Sequence, residues 1–242
     1  MSDPAELDLL TAARLIREGE LSPVDLVEAL LARIERHDGA LDCFLRLLAD
    51  SAREQAEAAA RAVASGEPLG PLHGVAFGLK DIIDVSGLPT TAHSRILADN
   101  VADADATVTA RLLAAGGIVL GKMATHEFAL GGPSFDLPWP PARNPWNRER
   151  YPGGSSSGCG AAVAAGFLPA AVGTDTGGSV RNPASACGIV GIKPTYGRVS
   201  RHGVVPLSQS LDHVGPMTRT VADNALMLQV MAGHDPADPT SA

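Results

Sequence analysis

Three stretches of this sequence carry residue types that could do chemistry. Gly154-Ser155-Ser156-Ser157-Gly158 has the G-x-S-x-G spacing of a nucleophile elbow. Thr174-Asp175-Thr176-Gly177-Gly178-Ser179 ends a glycine-rich turn on another serine. Gly116-Gly117-Ile118-Val119-Leu120-Gly121-Lys122 matches the opening positions of a phosphate-binding loop. A serine hydroxyl is a poor nucleophile near neutral pH and needs a base within hydrogen-bond reach. A lysine can serve only when neutral, and burial is what lowers its pKa. Lys80 has the apolar neighbours Phe77, Leu79, Ile82 and Ile83 that burial requires. An isolated Lys80-Asp81 would more simply be a surface ion pair.

Two of these stretches have plainer readings. The phosphate-loop pattern ends on Met123, so the hydroxyl that would bind magnesium is missing. Its interior, Ile118-Val119-Leu120, favours a strand over a cradle of amides. A nucleophile elbow needs a strand running into the turn. Here Arg148-Glu149-Arg150-Tyr151-Pro152 is polar and broken by proline, which leaves an α/β-hydrolase with Ser156 as a competing reading. Cys159 has no evident histidine partner and reads as a small buried helix residue. His126-Glu127 is not H-E-x-x-H because position 130 is Leu, so no metal site is expected.

Around these residues helix and strand signals alternate. Ser22-Pro23 offers an N-cap and a proline at the first helical position, with Asp25 in the first turn. Leu26, Val27, Leu30, Leu31 and Ile34 then recur at helical spacing as far as Asp38-Gly39. A second helix is predicted over residues 50–64, stopping at Ser65-Gly66. Residues 75–79 and 82–85 are apolar runs of strand type on either side of Lys80-Asp81. Residues 107–115 read as a helix closed by Gly116-Gly117, and residues 118–120 as a buried strand. Residues 131–158 are irregular, the profile of a functional loop. A helix over 159–165, a strand over 168–172 and a helix over 221–231 complete the pattern. It predicts an α/β fold, a helical segment over 1–66 packing on a sheet-containing core over 67–242.

Composition narrows the function class. Aromatics make up 4% of the 242 residues, so Ala, Val, Leu and Ile must fill the core. A net charge of −8 without a Lys/Arg cluster argues against direct nucleic-acid binding. Cys43, Cys159 and Cys187 are odd in number and widely spaced, which suits a reducing compartment and neither a disulfide framework nor zinc. No apolar run nears the about 18 residues that span a membrane, and the first residues lack a secretory pattern. A cytoplasmic protein is expected.

Pro152-Gly153-Gly154-Ser155-Ser156-Ser157-Gly158, Gly173-Thr174-Asp175-Thr176-Gly177-Gly178-Ser179-Val180-Arg181 and Cys187-Gly188-Ile189-Val190-Gly191-Ile192-Lys193-Pro194 together resemble the amidase signature. Gly78-Leu79-Lys80-Asp81 has the form of that family's catalytic lysine segment, and Ser155 and Ser179 stand 24 residues apart as its paired serines do. The resemblance implies a mixed β-sheet covered by helices on both faces, and a Ser–cis-Ser–Lys triad. Ser179 would be the nucleophile, Ser155 the bridging serine after a cis Gly154–Ser155 bond, and Lys80 the base. Thr176, Gly177 and Gly178 with Ser179 would form the oxyanion hole, where consecutive glycines let amides converge. Thr174 would support Ser155 or Lys80. Arg181 would tune the site or anchor an anionic substrate, or else be a structural ion-pair partner.

The chain departs from the family at Ser157, usually glycine, and at Cys159, usually serine or alanine. It is also shorter than family members, so a missing C-terminal portion or a completing partner protein is expected, and a homodimer is left open. The implied partner is a small-molecule amide, with no cofactor. The segment 203–216 looks more like a stand-alone amidase than the glutaminase component of a tRNA-dependent amidotransferase, which is the alternative. An inactive or partner-dependent truncated domain is the non-enzymatic reading.

Overall fold

The computed structural model describes residues 3–242. Helix α1 (Leu9–Arg17) and helix α2 (Pro23–His37) come first, then strand β1 (Phe44–Leu47) and helix α3 (Ala49–Ser65). Strand β2 (Ala76–Lys80), helix α4 (Thr107–Ala114), strand β3 (Ile118–Met123), helix α5 (Ser157–Ala164) and strand β4 (Ala170–Asp175) follow. Helix α6 (Arg181–Cys187), strands β5 (Val190–Gly191) and β6 (His213–Thr218) and helix α7 (Val221–Met231) end the order.

The expected helices form for the expected reasons. Ser22 Oγ accepts the Val24 amide at 3.2 Å, and α2 buries Leu26, Val27, Leu30, Leu31 and Ile34 along one face. Helix α3 stops where Gly66 turns left-handed at φ +70°. Alanines 52, 56 and 59 line its buried stripe, so α2 and α3 can lie close together.

The strands form one sheet in the order β1-β3-β2-β4-β6-β5. Strand β2 is central and parallel to both β3 and β4, whereas β1, β5 and β6 pair antiparallel. It is a mixed sheet with helices on both faces. Every residue of β2, β3 and β4 is buried, as expected of parallel strands covered on two sides. The carboxyl ends of these strands, Lys80, Met123 and Asp175, therefore meet at one edge of the core. Crevices outside such strand ends are where α/β sheets place ligands.

Several elements differ from expectation. Residues 82–85 are not a strand: the Lys80 carbonyl accepts from the amides of both Ile82 (2.8 Å) and Ile83 (2.9 Å), which turns the chain. Only an isolated bridge, Ile83 with Val204, survives from the apolar run. Strand β4 begins two residues later than predicted and runs on to Asp175, because β6 pairs with it along its whole length. Helix α6 and strands β1, β5 and β6 carry no periodic signal of their own and form through tertiary pairing. Gly116 and Gly117 close α4 and lead into β3, so no phosphate cradle forms.

Helix α5 sets the tightest packing around the site. A Cβ on Gly158 would sit 2.4 Å from the Cys43 carbonyl oxygen and 2.6 Å from the Ala124 amide nitrogen. Both are backbone atoms and cannot swing aside. Gly158→Ala should destabilise the fold by about 3 kcal/mol and lower the melting temperature by roughly 10 °C in calorimetry. An unchanged melting temperature would show that this contact is slack.

Candidate active site

Lys80 is the last residue of β2 and is completely buried. Its Nζ donates to Ser155 Oγ at 2.7 Å and to Thr174 Oγ1 at 2.8 Å. No carboxylate lies within ion-pair distance of it among the described residues. Burial pulls its pKa from 10.5 to about 7, with the fields of Cys159, Asp175 and Asp212 opposing the shift. The surface Lys80-Asp81 pair does not form. Asp81 binds Lys122 instead, at 3.0 Å.

Ser155 is held from several sides. The Gly154–Ser155 bond is cis. The Ser155 carbonyl accepts the His126 amide at 3.1 Å, and the Gly154 amide donates to Asn182 Oδ1 at 3.0 Å. Gly154 itself lies against the His126 ring, where an added Cβ would approach to 2.3 Å. His126 Nδ1 faces the Gly131 carbonyl at 3.0 Å and Nε2 faces the Tyr151 hydroxyl at 3.2 Å. Burial pushes the His126 pKa down to about 4, so a neutral ring donates to Gly131 and accepts from Tyr151.

Ser179 sits half-buried just before α6, beside the Ser155 segment. Its carbonyl accepts the Ser156 amide at 3.2 Å, which ties the two serine-bearing loops together. Asp175 organises this turn from below. Its carboxylate accepts the amides of Gly178 (2.8 Å), Val180 (3.1 Å) and Arg181 (3.3 Å), and binds the Arg181 guanidinium through two contacts of 2.9 Å. Burial alone would raise the Asp175 pKa, but Arg181 and these amides hold it at about 2. The Gly178 amide is thus already engaged, and the amides of Gly177 and Ser179 have no acceptor among the described residues. The Thr176 hydroxyl donates to Asp212 Oδ1 at 2.5 Å.

The competing nucleophiles are placed otherwise. Ser156 Oγ is fully buried and bonded to both the carbonyl (3.2 Å) and the amide (3.3 Å) of Thr174, with no access for a substrate. It follows an irregular segment and not a strand, which removes the elbow geometry. Cys159 faces the Val172 carbonyl, and burial pushes its thiol up to about 12.

A cavity of about 520 Å³ opens beside the site, reaching Thr174 and Thr176 and walled by Tyr196, Val205, Asp212 and His213. Ser155 and Ser179 do not line it, so it adjoins the serines and does not contain them.

Known proteins share this architecture. Residues 25–242 match the family model described as Amidase. The chain belongs to the amidase family. This amidase is 50% identical to a glutamyl-tRNA(Gln) amidotransferase component of Anaeromyxobacter dehalogenans, covering 100% of this chain and 50% of that one. It superposes on the peptide amidase of Stenotrophomonas maltophilia with a TM-score of 0.92 at 39% identity, covering 98% of this chain and 50% of that one. The corresponding amidotransferase component from Thermotoga maritima gives 0.84 at 38% identity, covering 100% and 50%. The chain spans about half the length of the curated relatives it matches. No helix among the described residues is long and apolar enough to cross a membrane.

The sequence analysis does not single out Asp175, His126, Tyr151, Asn182 or Lys122. Asp175 stands inside the glycine-rich motif, where an acid between two threonines is the available signal. The others act from positions distant in sequence, which no local pattern reveals.

Lys80 also generates a stability prediction. Its folded pKa of about 7 lies below its ordinary 10.5, so between these values the unfolded chain holds a proton that the folded chain lacks. Stability therefore rises with pH through that window, and the cost of burying Lys80 is greatest at and below pH 7. Lys80→Met should stabilise the fold by about 3 kcal/mol at neutral pH in urea titrations, less whatever Ser155 and Thr174 lose as partners. The gain should vanish near pH 10.5.

Proposed function

We propose that this chain carries the acyl-transfer machinery of an amide hydrolase, with Ser179 as nucleophile, Ser155 as proton bridge and Lys80 as general base. The observation that supports it most is a fully buried lysine bonded to two hydroxyls, with its pKa near 7 and no carboxylate in ion-pair reach among the described residues. Ser179 Oγ attacks the amide carbonyl while its proton passes by way of Ser155 to Lys80. The tetrahedral oxyanion rests on the free amides of Gly177 and Ser179, flanked by Thr176. Gly178 serves the hole through its conformation, at φ +131°, and not through its engaged amide. The leaving amine or ammonia takes the proton back from Lys80, the C–N bond breaks, and an acyl ester remains on Ser179. Water, deprotonated through the same relay, attacks the ester and releases the carboxylic acid. Thr174 holds Lys80 toward Ser155. Arg181 keeps Asp175 ionised beneath the loop.

The substrate in this reading is a small carboxylic amide hydrolysed directly, which the 203–216 segment favours. A second reading is supported by the relatives at 50% identity, which are named as part of a glutamyl-tRNA(Gln) amidotransferase. In it the amide is glutamine, and the ammonia passes to a partner protein. Ammonia release from a panel of amides, with glutamine included, separates the two.

A serine-reactive fluorophosphonate mapped by mass spectrometry tests the machinery itself. The adduct should fall on Ser179, and Lys80→Ala should slow labelling about 100-fold or more. The rate should rise about tenfold per pH unit below 7 and level off above it, as Lys80 loses its proton. An adduct on Ser156, or labelling indifferent to Lys80, contradicts the assignment.

A further inference from the structure

Two lysines are fully buried in this sheet, and the chemistry above uses one of them. In the parallel β2–β3 pair Lys122 stands beside Leu79, whereas Lys80 stands beside Met123. Successive side chains of a strand point to opposite faces, and paired residues of neighbouring strands share a face. Lys80 and Lys122 therefore project from opposite faces. Their contacts agree with this. Lys80 meets Ser155 and Thr174, while Lys122 meets Asp81 at 3.0 Å and donates to Thr90 Oγ1 at 2.9 Å.

Asp81 directly follows Lys80, and the structure fixes it at several points. Its amide donates to the Met123 carbonyl at 3.1 Å, and its own carbonyl accepts the Ala92 amide at 2.8 Å. Oδ2 accepts both the amide (3.0 Å) and the hydroxyl of Thr91. Oδ1 has no aligned hydrogen-bond donor and faces the Lys122 ammonium as a bare ion pair. Such a buried pair is weak evidence for stability, since apolar replacements are often neutral or better. What it does secure is direction. With Asp81 held on one face, the residue before it must point to the other.

We propose that Lys122 is a positioning residue for the base, holding the Asp81 carboxylate on the far face of the sheet so that Lys80 reaches Ser155 without an anionic partner. The inference rests on the reading of Lys80 as general base. Remove the Lys122 ammonium, and Lys80 is the buried cation adjacent to Asp81 in the chain. A carboxylate gained at close range typically raises a lysine pKa by about 1–3 units. The other groups acting on Lys80 are Cys159, Asp175 and Asp212, and Lys80 acts in turn on His126. Lys122 faces Asp81, Asp84 and Arg46, and burial lowers its own pKa despite the two acids. The groups acting on Lys80 are left in place when Lys122 and Asp81 are changed together.

The test is the pH profile of fluorophosphonate labelling in three full-length chains: the parent, Lys122→Met, and Lys122→Met combined with Asp81→Asn. Lys122→Met should move the midpoint upward by about one unit, cutting the rate at pH 7 about tenfold. The double variant, which has no carboxylate left to compete for Lys80, should return to the parent midpoint. A purely structural pair would lower the amount of folded protein in both variants and shift neither midpoint. An unshifted midpoint in folded Lys122→Met, with Ser179 labelled in the parent, overturns this inference alone. Absence of a Ser179 adduct in the parent overturns the reading beneath it as well. Should Lys122→Met lose its thermal transition, the double variant decides: a parental midpoint supports the role, and a raised one contradicts it.

Discussion

The structure turns on one cost, the burial of Lys80 away from any carboxylate. An ammonium taken out of water and offered only two hydroxyls gives up much of its affinity for a proton. In the proposed mechanism that loss converts an ordinary lysine into a base usable near neutrality. It also explains the surroundings. Strand β2 must be central and parallel on both sides, or water would reach its end. Ser155 and Thr174 must supply hydrogen bonds without charge. The neighbouring acids must be committed elsewhere, Asp81 to Lys122 and Asp175 to Arg181.

The packing around α5 serves the same end. Its first residues follow the Ser155 turn, and its small side chains let it press onto β4 and the loop after β3. Ser157 and Cys159, the two departures from the family pattern, both lie on this buried helix, and neither bonds to Lys80 Nζ or the Ser155 hydroxyl. The Ser157 hydroxyl bonds the Ala124 carbonyl at 3.4 Å, so a side chain fits where glycine is usual. Gly158, one residue on, is the position where it does not.

Much of this is legible in the sequence, and the parts that are not share a cause. Capping and spacing set α2, α3, α4 and α7 nearly to the residue, since those signals are local. The serine and lysine segments stand out because glycine-rich turns and an apolar-flanked lysine are unusual in composition. Residues 82–85 carry a strand signal because β-branched apolar residues favour strands. The two amides donating to one Lys80 carbonyl, which turn the chain there, leave no such mark. The commitment of Lys122 to Asp81 spans 41 residues and is silent in either local pattern. For the same reason the engaged Gly178 amide cannot be foreseen from three small residues in a row.

The most direct measurement is the protonation state of Lys80 itself. Carbon-13 at the lysine ε position, assigned by comparison with Lys80→Arg, reports the titration by NMR whether or not any substrate is known. A midpoint near 7 for the Lys80 signal, apart from the other lysines, is the predicted result. A midpoint at the ordinary 10.5 would contradict the account, because a lysine charged throughout the neutral range cannot accept the serine proton.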